Sequence, residues 1–255
     1  MLKLFTRLTL IPFALGACQT ASRPPLSDTI ALSRIYPEYD QRNACWTDRK
    51  TADKPYDCYS IGSVNRVMAS NGERTYILLM GVRIDADGKP RRVHVETGSI
   101  KAFVLHEGVV DKRSATDAPV LRLGAFRQPP SNWRFVRLGA DIWGWMTRSF
   151  DCHQGHCASW LHILATDPRG EFRDVAGFPS SYNDQGYRER LQNDLKSEIS
   201  ILETYSGTPL FPLAIHVSGV KNGSSLQPRT WRIIFDSVSW SYRLPNDWPF
   251  QQPVY

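Results

Sequence analysis

Three successive runs of alternating apolar and polar residues, the first two closed at their shared tip by a pair of cysteines, constrain this chain more than any other stretch. They fill residues 142–186, IWGWMTRSFDCHQGHCASWLHILATDPRGEFRDVAGFPSSYNDQG. A half-buried strand requires this alternation, because its successive side chains point to opposite faces. The stretch therefore reads as three strands, with Cys152 and Cys157 clipping the first hairpin and His153, Gln154, Gly155 and His156 forming its loop. Trp143 and Trp145 stand two apart and share a face, on which Trp160 of the partner strand is expected to meet them. Their expected role is sheet-face packing rather than a ligand platform.

The same punctuation runs through the rest of the chain. IGSVNRVMAS and ERTYILLMGVRI meet across Asn71-Gly72, a dipeptide suited to a hairpin turn in which both positions take positive φ. The turn Asp85-Ala86-Asp87-Gly88 leads to RRVHVETG, and AFVL pairs with VVDKR across His106-Glu107-Gly108. VLRLGAF, WRFVRLG, LFPLAIHVSGV and RTWRIIFDSVSWSYRL complete the strands, with Asn222-Gly223 between the last two. One helix is expected near residues 185–205, where Leu191, Leu195, Ile199 and Leu202 recur at helical spacing, Asn183 or Asp184 caps the start, and Gly207 follows the end. Short strands with turn signals predict a mainly β fold, a meander or sandwich. A propeller is the weaker reading, since no internal repeat of fixed length occurs.

At the amino terminus, MLKLFTRLTLIPFALGAC carries Lys3 and Arg7, then an apolar run from Leu8 to Leu15, then small residues before Cys18. That order is an export signal, and the run is far shorter than the ~20 residues of a membrane-spanning helix. Leu15, Gly16, Ala17 and Cys18 resemble the lipobox of bacterial lipoproteins, a resemblance confined to residues 1–18. It implies removal of residues 1–17, acylation of Cys18 with palmitate-type chains, and, since Gln19 follows where a retention signal has Asp, placement in the outer membrane. Several chains at about 0.8 kcal/mol per buried methylene anchor stably. Residues 18–34, polar and containing Pro24-Pro25, form the expected tether; residues 35–255 form a single β-rich domain in the periplasm or at the cell surface.

Cys45, Cys58, Cys152 and Cys157 remain, an even number that reads as disulfides in an oxidising compartment. Three pairings are possible, and the two local ones, 45 with 58 and 152 with 157, are preferred because each closes a short polar loop. The formal charge of +6 falls to +4 without Lys3 and Arg7. With no long Lys/Arg cluster, this balance suits anionic lipid headgroups or peptidoglycan and excludes a nucleic-acid footprint.

Local catalytic motifs are missing. There is no G-x-S-x-G elbow, H-E-x-x-H or phosphate-binding glycine loop, and the S-x-x-K match at Ser218 and Lys221 sits at a strand end rather than a helix start. No catalytic residue, cofactor or metal ligand set is assigned. His94, His106, His162 and His216 stand alone among strand residues and read as structural. The six residues from Cys152 to Cys157 read as a disulfide-closed turn rather than a thiolate metal site, because four ligands so close in sequence do not converge on one tetrahedral ion. His153, Gln154 and His156, with Asn183 and Asp184 from the next loop, form the candidate binding loop. The leading expectation is a lipid-anchored periplasmic binding protein that engages another protein or the cell wall, similar in kind to immunity and inhibitor lipoproteins. An alternative is an envelope-polymer hydrolase whose site is assembled from distant strands, with Asp151, Asp174 or Asp184 beside a histidine. A third is metal handling through His153 and His156.

Overall fold

A computed structural model describes residues 32–250 apart from 34, 37, 48–53, 91–95, 107–108, 111–119, 126–127, 187–191 and 205–206. Cys18, the expected tether up to residue 31, His94 and residues 187–191 of the expected helix lie outside the described residues; Leu32, expected in the tether, is instead fully buried in the domain. The first sheet holds β1 (Glu38–Asp40), β2 (Cys45–Thr47), β3 (Tyr56–Ala69), β4 (Gly72–Ile84), β5 (Gly98–His106) and β6 (Val109–Val110) in chain order, with β7 (Leu121–Leu123) paired to β5. The second holds β8 (Arg134–Arg137), β9 (Trp143–His153), β10 (His156–Thr166), β12 (Phe178–Asn183), β13 (Asp194–Ile201), β14 (Leu213–Lys221), β15 (Ser224–Asp236) and β16 (Ser241–Arg243), with β11 (Phe172–Asp174) on the far end of β10. Both sheets are antiparallel, strands account for 64% of the structure and helix for 2%, and neither sheet closes into a barrel. The mainly β expectation holds.

The expected helix does not. Residues 194–201 form β13 and pair with β14 from Asp194↔Val220 to Ile201↔Leu213. A spacing of four satisfies a strand as well as a helix, since residues four apart also share a strand face. Leu195 and Ile199 fit both periods, and Ile201, next on the same strand face, belongs only to the strand. Asn183 accepts the Gln185 N–H, and the buried Asp184 carboxylate accepts the N–H groups of Gln192 and Asn193 at 3.0 and 2.9 Å, fixing the chain where β13 begins. The Asn71-Gly72 turn also differs in detail. Ala69 pairs with Gly72, so Ser70 and Asn71 form the loop, and positive φ falls on Gly72 alone, at 112°.

Apolar residues on both faces of the first sheet explain the unbroken run YILLM in β4. Ile77, Leu79, Phe103 and Leu105 meet Leu32 and Tyr36 on one face, where a helical turn bonds Tyr36 N–H to the Leu32 carbonyl at 2.8 Å. Tyr76, Leu78, Ile100, Ala102 and Val104 face the second sheet and meet Trp145, Leu164 and Phe172 there. The other face of the second sheet covers a core of its own, including Met146, Ile163, Ile215 and Phe235, and a bridge joins Gly139, just after β8, to Leu210, just before β14. β9 and β10 thus serve two cores, one on each face.

Trp145 anchors the inter-sheet core. It is fully buried, lies 5.4 Å from both Phe135 and Phe172 between ring centroids, and its indole N–H donates to Ser63 of the other sheet at 3.3 Å. Trp160 does not join it: the register sets Leu164 opposite Trp145 and Ser149 opposite Trp160. Trp145→Ala is expected to cost about 3–5 kcal/mol, read as a lower urea midpoint at unchanged slope. In the N-terminal turn, the Tyr56 hydroxyl at 2.5 Å, then Asn43, hold the Asp40 carboxyl at about 2, below its usual 3.8. Because the folded value is depressed, the associated stability is present above the unfolded value and is lost as pH falls from 3.8 through about 2. Tyr56→Phe should move the Asp40 midpoint upward in a carboxyl NMR titration; an unmoved midpoint would refute that cause.

Candidate functional site

The outer face of β9 and β10 grades from apolar to polar along its length. Paired residues share a face, so this one carries Trp145 opposite Leu164, then Thr147 opposite His162, then Ser149 opposite Trp160, then Asp151 opposite Ala158. The first pair belongs to the inter-sheet core. The later pairs project beyond it.

Ser149 and His162 are diagonal neighbours on this face, a geometry that brings side chains within reach. Ser149 Oγ lies 2.8 Å from His162 Nε2, and His162 Nδ1 lies 2.6 Å from Asp174 Oδ2. Asp174 stands opposite Leu164 on β11, diagonal to His162 from the other side. Its second oxygen, Oδ1, accepts the backbone N–H groups of Ile163, Ala176 and Gly177 at 3.1, 3.2 and 3.2 Å, which fixes the carboxylate in place. An ionised carboxylate only accepts, so Nδ1 carries the imidazole proton and Nε2 accepts from the Ser149 hydroxyl. A serine, a base and an orienting acid are therefore joined in sequence.

Burial grades in the same order. His162 and Asp174 are largely enclosed, with side chains 9% and 16% exposed, while Ser149 opens onto the wall of a cleft of about 460 Å³. Gln128, Pro129, Pro130 and Asn132 form the opposite wall, and Phe150 and Asp151 continue the near one. Beyond Met146, no strand among the described residues pairs with β9 on this side, because its pairing with β8 runs only from Arg137↔Trp143 to Arg134↔Met146. The N–H and carbonyl of Ile163 both point away from β9, to Asp174 and Val175. Its pair, Met146, therefore directs its own backbone groups away from β10. Alternation along an antiparallel strand then turns the N–H groups of Arg148 and Phe150 toward the cleft. These are donors of the kind that hold a developing oxyanion, one on each side of Ser149.

The sequence-derived binding loop is partly assembled. His153 and His156 are strand residues, and the turn is Gln154-Gly155 alone, both at positive φ (48° and 83°), the conformation that a two-residue hairpin favours. Cys152 and Cys157 face each other at disulfide distance with Cα atoms 4.1 Å apart, as do Cys45 and Cys58 at 5.5 Å. His156 Nδ1 bonds the Tyr182 hydroxyl at 2.6 Å, and Asn183 stands opposite Cys157. Asp184 is buried and bound to backbone, and so leaves the loop surface. Among the described residues, no three His, Cys, Asp or Glu side chains gather as a metal-holding group.

No family model, curated protein or solved structure matches this chain. Of the three carboxylates that the sequence offered for a site built from distant strands, Asp174 is brought to a histidine, while Asp184 is held by Asn193 and its backbone. Reading His162 as structural missed its partners, although its position two residues from the register partner of Ser149 was implicit in the hairpin.

Asp174→Asn tests the relay. The amide would present N–H to His162 Nδ1, forcing that nitrogen to accept and moving the proton to Nε2. Nitrogen-15 NMR of labelled histidine should show Nδ1–H in the wild type and Nε2–H in the variant; the same tautomer in both would remove Asp174 from its orienting role.

Proposed function

We propose that this protein is an exported, lipid-anchored hydrolase of the cell envelope that cleaves esters or amides through a serine nucleophile. The observation that carries this reading is the hydrogen-bonded line Ser149–His162–Asp174 ending at a cleft wall. The cationic start and small residues before Cys18, together with two cysteine pairs at disulfide distance, support the envelope placement.

In this mechanism Ser149 Oγ attacks the substrate carbonyl carbon while His162 Nε2 takes the hydroxyl proton. The imidazolium so formed is stabilised by Asp174, and the oxyanion by the outward N–H groups of Phe150 and Arg148. His162 returns the proton to the departing alcohol or amine, leaving an acyl-serine. Water then repeats the sequence, giving the carboxylic acid and free Ser149.

A second reading has its own observation. Phe150, 63% exposed beside Ser149, is an aromatic anchor on the cleft rim, as expected of a non-catalytic inhibitor or immunity-type module gripping a periplasmic partner. An alkyl fluorophosphonate separates the two. The hydrolase reading expects one covalent adduct on Ser149 by intact mass and peptide mapping, none on Ser149→Ala, and labelling of His162→Ala slowed by about 10²-fold or more. A folded wild-type protein that stays unlabelled beside a labelled control hydrolase would overturn it in favour of the binding module.

A further inference from the structure

A second cleft, of about 300 Å³, meets the first at β9: Asn132 and Arg148 line both. Met146, Leu161 and Ile199 give it an apolar wall, and Arg134 and Arg148 give it two cations. Successive side chains of β9 point to opposite faces, so Arg148 leaves the strand on the side away from Ser149, one residue earlier. Any chain crossing the free edge of β9 therefore passes from one to the other.

Among the described residues, neither arginine enters an ion pair. Arg148 donates through Nη2 to the Ser197 carbonyl at 2.5 Å and to the Ser197 hydroxyl at 3.4 Å, which steers the guanidinium without neutralising it. Arg134, exposed on β8, forms no ion pair among the described residues, and neither does Glu198, the acid whose field reaches Arg148. Desolvation, then the charge of Arg134, holds the Arg148 guanidinium below its ordinary value. Both side chains reach solvent from an apolar wall, so the two guanidinium groups present hydrogen-bond donors that a carboxylate or phosphate can engage in place of water.

We propose that Arg134 and Arg148 form an anion subsite for the substrate of Ser149, which therefore carries a carboxylate or phosphate group next to an apolar portion. This rests on the hydrolase reading, and it narrows the substrate class to anionic acyl esters or amides. Both groups are abundant in envelope polymers and lipids, and they present the same oxygen fork to arginine.

Calorimetry on Ser149→Ala, which cannot turn over, tests the subsite apart from the chemistry. At low ionic strength, where surface charges are least screened, glutarate and inorganic phosphate serve as carboxylate and phosphate probes, with glycerol as the neutral control. The proposal expects at least one anion to bind, glycerol not to bind, and Ser149→Ala/Arg134→Gln/Arg148→Gln to bind it about tenfold more weakly or not at all. The stronger of the two anions identifies the group. Absence of anion binding, or equal binding by a triple variant whose melting temperature matches its parent, would overturn the subsite. Failure of Ser149 to accept fluorophosphonate would instead overturn the hydrolase reading, so the two failures are distinguishable.

Discussion

The register of β9 against β10 is the constraint on which the rest of the structure depends. From His153↔His156 to Trp145↔Leu164 the two strands stay in step, so every side chain is committed to one of two faces. Trp145 and Leu164 go to the core shared with the first sheet, and Met146 and Ile163 to the core on the other face of the second sheet. A slip of one residue would exchange the two sets and expose both. The Gln154-Gly155 turn and the Cys152–Cys157 pair fix that register from the tip, and the buried Trp145 fixes it from the base.

The candidate site follows from that commitment. Ser149 and His162 become diagonal neighbours only when Thr147 opposes His162 and Ser149 opposes Trp160. Asp174 joins them because the chain after β10 doubles back at once as β11, and three backbone N–H groups then hold one carboxylate oxygen while the other faces the imidazole. Buried polar groups in low dielectric are costly unless satisfied, and these are satisfied by one another up to the point where Ser149 meets the cleft. The polar line thus begins where the dry core ends, at the boundary where a preorganised group can be both fixed and reachable.

The two clefts share this origin. β8 stops pairing at Met146, and the freed edge of β9 leaves backbone donors, Ser149 and Arg148 along one open border. In the proposed hydrolase Ser149 attacks, the edge amides hold the oxyanion, and the arginines select an anionic substrate. In the binding alternative the same border seats a partner, with Phe150 as the aromatic contact. Both proposals use the same segment of β9, beyond its pairing with β8, on a long strand whose other end is buried.

By itself the sequence determined the strand character of most of the chain, the β9–β10 hairpin, its cysteine clip and the likeness of residues 1–18 to a lipoprotein signal, because these rest on period-two alternation and on neighbours a few residues apart. It misassigned residues 194–201, since Leu195 and Ile199 satisfy helical and strand spacing equally and only the hydrogen bonds with β14 choose between them. Only the tertiary structure decided the site. Ser149, His162 and Asp174 carry no common local motif; they lie 13 and 12 residues apart and converge through strand register and a tight return, not through linear spacing. The meeting of Arg134 and Arg148 in one cleft, and the end of the β8–β9 pairing at Met146, are likewise properties of where β8 stops in space, which depends on the packing of both sheets.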